Sequence, residues 1–120
     1  MNGTVDGFGR ALVTLSIRPA ADAQSISVSA WIDTAFNGEL VLPRHLIDQA
    51  GLEQTAGIEA KLADGKAVLL ETFGCWLNWF NEERPVEVIA NDGKFPLLGI
   101  GLLVGRRLVI DYGQLTVTIE

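Results

Sequence analysis

Apolar residues recur at every second position over several stretches of this 120-residue chain, and that period admits few folds. Successive side chains of a strand point to opposite faces, so strict alternation sets one face on a core and leaves the other outside it. In SISVSAWI, Ile26, Val28, Ala30 and Ile32 face one way, and Ser25, Ser27, Ser29 and Trp31 the other. In ALVTLSI, Ala11, Val13, Leu15 and Ile17 share a face opposite Leu12, Thr14 and Ser16. QLTVTIE turns Leu115, Val117 and Ile119 inward and Thr116 and Thr118 outward. KLADGKAVLL reads as a hairpin with Asp64-Gly65 at the turn, where positive φ is needed. GCWLNWF, RPVEVIA and RRLVIDY supply three more strands.

Helical signals are scarce. PRHLIDQAG offers Pro43 for a first turn, Leu46 and Ile47 on one face, and Gly51 as a C-terminal stop. IGLLVG predicts a second short turn, weakened by Gly101 and Gly105, and Gly57 and Gly93 mark further turns. No linker or low-complexity segment interrupts the chain. Residues 1–120 are therefore expected to form a single all-β (mainly β) domain, a closed barrel with one or two short helices.

Charge and composition remove several function classes. Nine Lys and Arg against fifteen Asp and Glu leave a net charge of −6, which disfavours a nucleic-acid partner and an anionic membrane surface. A single cysteine, Cys75, cannot close an internal disulfide, and with the single His45 it cannot build a structural zinc site. The start MNGTVDGFGR lacks the basic end and apolar run of a secretory signal, and every apolar run is far shorter than the roughly 20 residues of a membrane helix. A cytoplasmic protein without metal or cofactor is expected.

The segment AWIDTAFNGELVLP carries the chemistry. An apolar strand runs into Asp33-Thr34-Ala35, then a turn at Asn37-Gly38, then a β-run ending at Pro43. Small residues at 34 and 35 leave room for a second chain to approach. Farther on, PLLGIG supplies two apolar residues and a glycine, Leu97-Leu98-Gly99, and the Asp64-Gly65 hairpin between the two segments is placed to cover whatever binds over Asp33.

From about Arg10 to Glu120 this combination resembles the retropepsin-like (clan AA) aspartic proteases of the short bacterial single-lobe type. The family pattern is a strand ending in Asp-Thr/Ser-Gly, a flap hairpin, two hydrophobic residues and Gly, then a short helix and terminal strands. Here these correspond to Asp33-Thr34-Ala35, LADGKAV, Leu97-Leu98-Gly99, GLLVG, and RLVIDY with QLTVTIE. RALVTLSI is similar to the strand that precedes the active-site strand in retroviral members. Ala35 stands where the family almost always has Gly, which a negative φ would accommodate. Asn37 replaces an Asp common in retroviral members, and Ile100 replaces their Arg, so an ion pair is lost on both sides without an orphan charge.

The resemblance implies an aspartic endopeptidase in which two carboxylates share one proton, one activating water and the other acting as acid. One motif per chain implies a homodimer, with the second Asp33 supplied by an identical chain and a peptide or protein as substrate. Thr34 is expected to brace its symmetry mate, residue 35 to lend its N–H to the Asp33 carboxylate, and Asn37 and Gly38 to meet substrate backbone. Ala63, Asp64 and Gly65 form the flap tip expected to close over the peptide.

Rival readings are weaker. Gly99-Ile100-Gly101 lacks the βαβ setting of a dinucleotide loop. His45 lies on the exposed side of a short helix with no nucleophile-elbow motif to serve. Cys75 reads as a small buried hydrophobe, and Trp76, Trp79 and Phe80 as strand-packing aromatics rather than groove residues. The alternative of substance is the same fold kept as a non-catalytic peptide-binding or dimerisation module.

Overall fold

The computed structural model describes residues 1–61 and 63–120, so Leu62, part of the expected flap segment, lies outside the described residues. Its strands are β1 (Asn2–Val5), β2 (Ala11–Arg18), β3 (Ile26–Ile32), β4 (Leu40–Pro43), β5 (Glu53–Lys61), β6 (Ala67–Trp79), β7 (Glu82–Asn91), β8 (Leu97–Leu98), β9 (Leu108–Asp111) and β10 (Thr116–Ile119). One helix, α1 (Arg44–Ala50), and a 3₁₀ turn at Ile100–Leu102 complete the described elements.

The alternation does what its period requires. β2 buries Ala11, Val13, Leu15 and Ile17, and β3 buries Val28, Ala30 and Ile32, while Thr14, Ser27, Ser29 and Trp31 stay exposed. The two strands pair antiparallel from Leu12↔Trp31 to Ile17↔Ile26, so both apolar faces meet the same core. β4 is buried along its whole length, as expected of a strand running parallel to one neighbour, β7, and antiparallel to another, β8.

Closure comes from one long strand. β6 pairs with β7 along its C-terminal half, and there it also meets β2, Ile17↔Leu77 and Arg18↔Trp76. The ring β2-β3-β8-β4-β7-β6 is thereby a closed six-strand barrel, and Leu15, Ile17, Leu40, Leu42, Leu77 and Leu98 fill it with almost no exposure. β5 hangs from β6 outside the ring as the other arm of a hairpin, and β1, β10 and β9 extend the sheet outward from β2.

Helix α1 begins directly after β4. Pro43 is its N-cap rather than its first turn, with extended ψ of 148°, and Gly51 ends it at φ 69° with its N–H on the Asp48 carbonyl. Ile47 and Ala50 face the core and His45 is exposed.

Three local readings need correction. Gly57 lies within β5, opposite Glu71, and marks no turn. GCWLNWF is not a separate strand but the end of β6, and its hairpin to β7 turns on Phe80 and Asn81, at φ 52° and 64°. Positive φ at both central residues is the geometry of a type I′ turn, whose twist suits a hairpin, although neither residue is Gly. The Phe80 ring is held edge-on to Trp79 at 5.1 Å and under the Arg106 guanidinium at 3.6 Å, contacts that offset the backbone cost. Leu115 is half exposed rather than inward. The Asp111 carboxylate receives the Gly113 and Gln114 N–H groups at 2.9 Å, closing the β9–β10 turn, and Leu115 leaves that turn at φ 57° before the alternation of β10 begins.

Candidate active site

Strand β3 ends at Ile32, and the chain turns at once over Thr34 and Ala35, with the Phe36 N–H reaching the Asp33 carbonyl at 3.2 Å. The tight turn thus falls three residues before Asn37-Gly38, which lie in the segment leading into β4. Asp33 is half-buried, and its Oδ1 accepts the Ala35 N–H at 3.0 Å. Ala35 is not among the residues with positive φ, so the Cβ that replaces the family's glycine hydrogen imposes no left-handed strain.

The loop is braced from beneath by Leu97-Leu98-Gly99. The Asp33 N–H donates to the Leu98 carbonyl at 2.9 Å, extending the parallel pairing of β3 with β8. Beyond β8 the next three N–H groups run back into the loop. Gly99 donates to the Glu39 carbonyl at 2.9 Å, Ile100 to Phe36 at 2.9 Å, and Gly101 to Gly38 at 3.0 Å. The approach is close enough to demand glycine at 99, because a Cβ there would stand 2.2 Å from the Gly38 oxygen and 2.5 Å from the Phe36 ring.

A cleft of about 470 Å³ opens over this arrangement, lined by Trp31, Ile32, Asp33, Thr34, Ala35 and Leu97. The structure therefore brings Asp33, Thr34, Ala35 and Leu97 together, with Leu98 and Gly99 directly behind them. Asn37 is exposed, and Gly38 contributes its carbonyl to Gly101; neither lines the cleft. Ala63, Asp64 and Gly65 stand exposed at the hairpin tip, where Gly65 has φ 86° and the Asp64 carboxylate accepts the Lys66 N–H at 3.0 Å. They too stay off the cleft lining of this single chain.

The cleft aromatic is Trp31, on the strand that delivers Asp33. Its place among the serines on the polar face of β3 is the sequence signal that distinguishes it, and the structure leaves it 39% exposed. Trp76, Trp79 and Phe80 are absent from the lining, and Trp79 is a core residue. Cys75 is buried, and that burial, with the Glu39 charge adding to it, pushes its thiol up to about 12. Such a thiol is a hydrophobe, not a nucleophile. Among the described residues no group of three His, Cys, Asp or Glu side chains is placed to hold a metal, and no helix is long and apolar enough to cross a membrane.

The described residues thus form a closed β-barrel with Asp33 in the lining of a cleft, on a loop braced by the Leu97-Leu98-Gly99 segment. No family profile and no curated protein matches the sequence. Solved structures match the fold. A retropepsin-like aspartic protease from Rickettsia conorii superposes with a TM-score of 0.66 at 13% identity, over 99% of this chain and 88% of that one. EIAV protease, solved with an inhibitor, gives 0.57 at 17% identity, over 83% and 92%. A retroviral protease-like domain from Leishmania major gives 0.50 at 12% identity, over 91% and 88%. The chain has the retropepsin-like fold.

Proposed function

We propose that this protein is an aspartic endopeptidase whose active unit is a homodimer, with one Asp33 from each chain forming the catalytic pair. The observation that carries this reading is Asp33 in the lining of the cleft, its carboxylate oriented by the Ala35 N–H and its backbone N–H held by the Leu98 carbonyl. Thr34 and Ala35 are exposed and small, which suits close approach of an identical loop across a two-fold axis.

In such a pair the two carboxylates hold one proton between them, because like charges in contact resist joint ionisation. The ionised member takes a proton from water as the water oxygen attacks the peptide carbonyl carbon. The protonated member donates to the carbonyl oxygen. The carboxyl that took the water proton then passes it to the amide nitrogen. The other carboxylate takes a proton from a hydroxyl of the tetrahedral diol and the C–N bond breaks, which releases two peptides and leaves one proton on the pair. Asn37 and Gly38 would meet the substrate's extended backbone, and the hairpin tip of Ala63, Asp64 and Gly65 would fold over it to exclude water.

The test is peptide-library cleavage at acidic pH by the wild type and by Asp33→Asn. The variant should keep its fold and lose at least about 100-fold in turnover. Rate should fall as pH rises and both carboxylates ionise, and specific activity should drop on dilution as dimers dissociate. Undiminished cleavage by Asp33→Asn, or full activity from a demonstrated monomer, would remove this mechanism. Complete inactivity of the wild type, with peptide still bound, would leave the non-catalytic binding module.

A further inference from the structure

We propose that Glu39 is a positioning residue that sets the loop carrying Asp33, through a tie to two groups of β7. The parallel ladder between β4 and β7 starts at Leu40↔Val88 and runs to Pro43↔Asn91. One residue earlier the chain departs from β7 to form the active-site loop. At that point the Glu39 carbonyl faces the Gly99 N–H, 2.9 Å away. The Glu39 side chain reaches β7 instead. Its Oε1 accepts the Glu87 N–H at 3.0 Å, and its Oε2 accepts Arg84 Nη2 at 2.9 Å.

One residue is thus fixed from two sides, by β7 through its carboxylate and by Gly99 through its carbonyl. Gly99 adjoins Leu98, whose carbonyl takes the Asp33 N–H at 2.9 Å. The path from β7 to Asp33 alternates hydrogen bonds with covalent steps, through Glu39, Gly99 and Leu98. An exposed ion pair alone stabilises little. Here two donors from one strand converge on one carboxylate, which fixes its position and charge-assists both bonds. The neutral pair Asn37 and Ile100 cannot supply such a tie by charge; among the described residues Glu39 and Arg84 form an ionic link between this loop and the barrel wall.

The kinetic part of the test rests on the protease reading; the structural part does not. Amide hydrogen exchange and separate kcat and KM values are measured for wild type, Glu39→Ala, Glu39→Gln and Arg84→Met. In Glu39→Ala the amides of Phe36, Gly99, Ile100 and Gly101 should exchange at least about tenfold faster, while those along the β6–β7 ladder keep their protection. kcat should fall about tenfold or more at nearly constant KM, the pattern of a misplaced catalytic group. Glu39→Gln should regain most of the protection, since its amide oxygen still accepts the Glu87 N–H, and Arg84→Met should fall between.

Unchanged exchange at those four amides would overturn the proposal. So would loosening in step with the whole barrel, which marks a merely structural role, or faster exchange with kcat untouched. If Glu39→Ala does not fold, the Arg84→Met comparison decides by the same four amides. If the wild type hydrolyses no peptide, the protease reading fails, and the exchange pattern alone still decides whether the tie holds the loop.

Discussion

The Ala35 N–H donates to Oδ1 of Asp33 across 3.0 Å, and the bond belongs entirely to the backbone of residue 35. The methyl group that departs from the family pattern therefore takes no part in orienting the carboxylate. Ala35→Gly should change turnover far less than Asp33→Asn does, and should lower stability by about 0.4–1 kcal/mol through added freedom in the unfolded chain. Kinetics on one peptide library and urea titration measure the two effects. A large gain in turnover would mean instead that the methyl obstructs the cleft.

Gly99→Ala should be damaging for the opposite reason. Its new Cβ meets backbone, the Gly38 carbonyl oxygen at 2.2 Å, so β8 and the active-site loop must separate. Overpacking of this kind costs about 1–3 kcal/mol, read as a lower urea midpoint at constant m. An unchanged midpoint would show that the loop yields freely.

Stability near the N-terminus should depend on acid. Desolvation pushes the Asp6 carboxyl up, but hydrogen bonds from the Arg10 and Phe8 N–H groups and the Arg10 side chain outweigh it and hold it below its usual 3.8. A depressed carboxylate contributes stability above its unfolded value and loses it as pH falls through the folded one. Wild type should thus exceed Asp6→Asn in Tm at pH 6, with the gap closing below about pH 3.8. A gap that persists at pH 2 would place the effect in packing rather than charge.

Cys75, with its thiol pushed up to about 12, should resist alkylation at pH 8 in the folded protein and react promptly in denaturant. Mass spectrometry of iodoacetamide-treated protein follows both. Rapid labelling in native buffer would show that β6 opens to solvent.

Much of the barrel was legible because strand faces are written with period two: the buried sets of β2 and β3 match the alternation residue by residue. Helix α1 and its Gly51 stop were legible from local backbone chemistry. The Phe80-Asn81 turn was not, since neither residue is Gly and the Phe80 ring is held by Arg106, a contact from far along the chain. Leu115 misled because a two-residue period carries no mark of where a strand begins.

The site divides along the same line. Asp33, its neighbours and the Leu97-Leu98-Gly99 segment could be proposed from the sequence, because together with the hairpin between them they resemble a family pattern that no one of these strings carries alone. That the Leu98 carbonyl takes the Asp33 N–H, that Trp31 lines the cleft, and that Glu39 reaches Arg84 and Glu87 were decided only by barrel closure. The Asp33–Leu98 bond, the meeting of Trp31 with Leu97 in the cleft lining and the Glu39 contacts all join residues far apart in the chain. Such pairings depend on strand order and register, which hydrophobic periodicity alone leaves open.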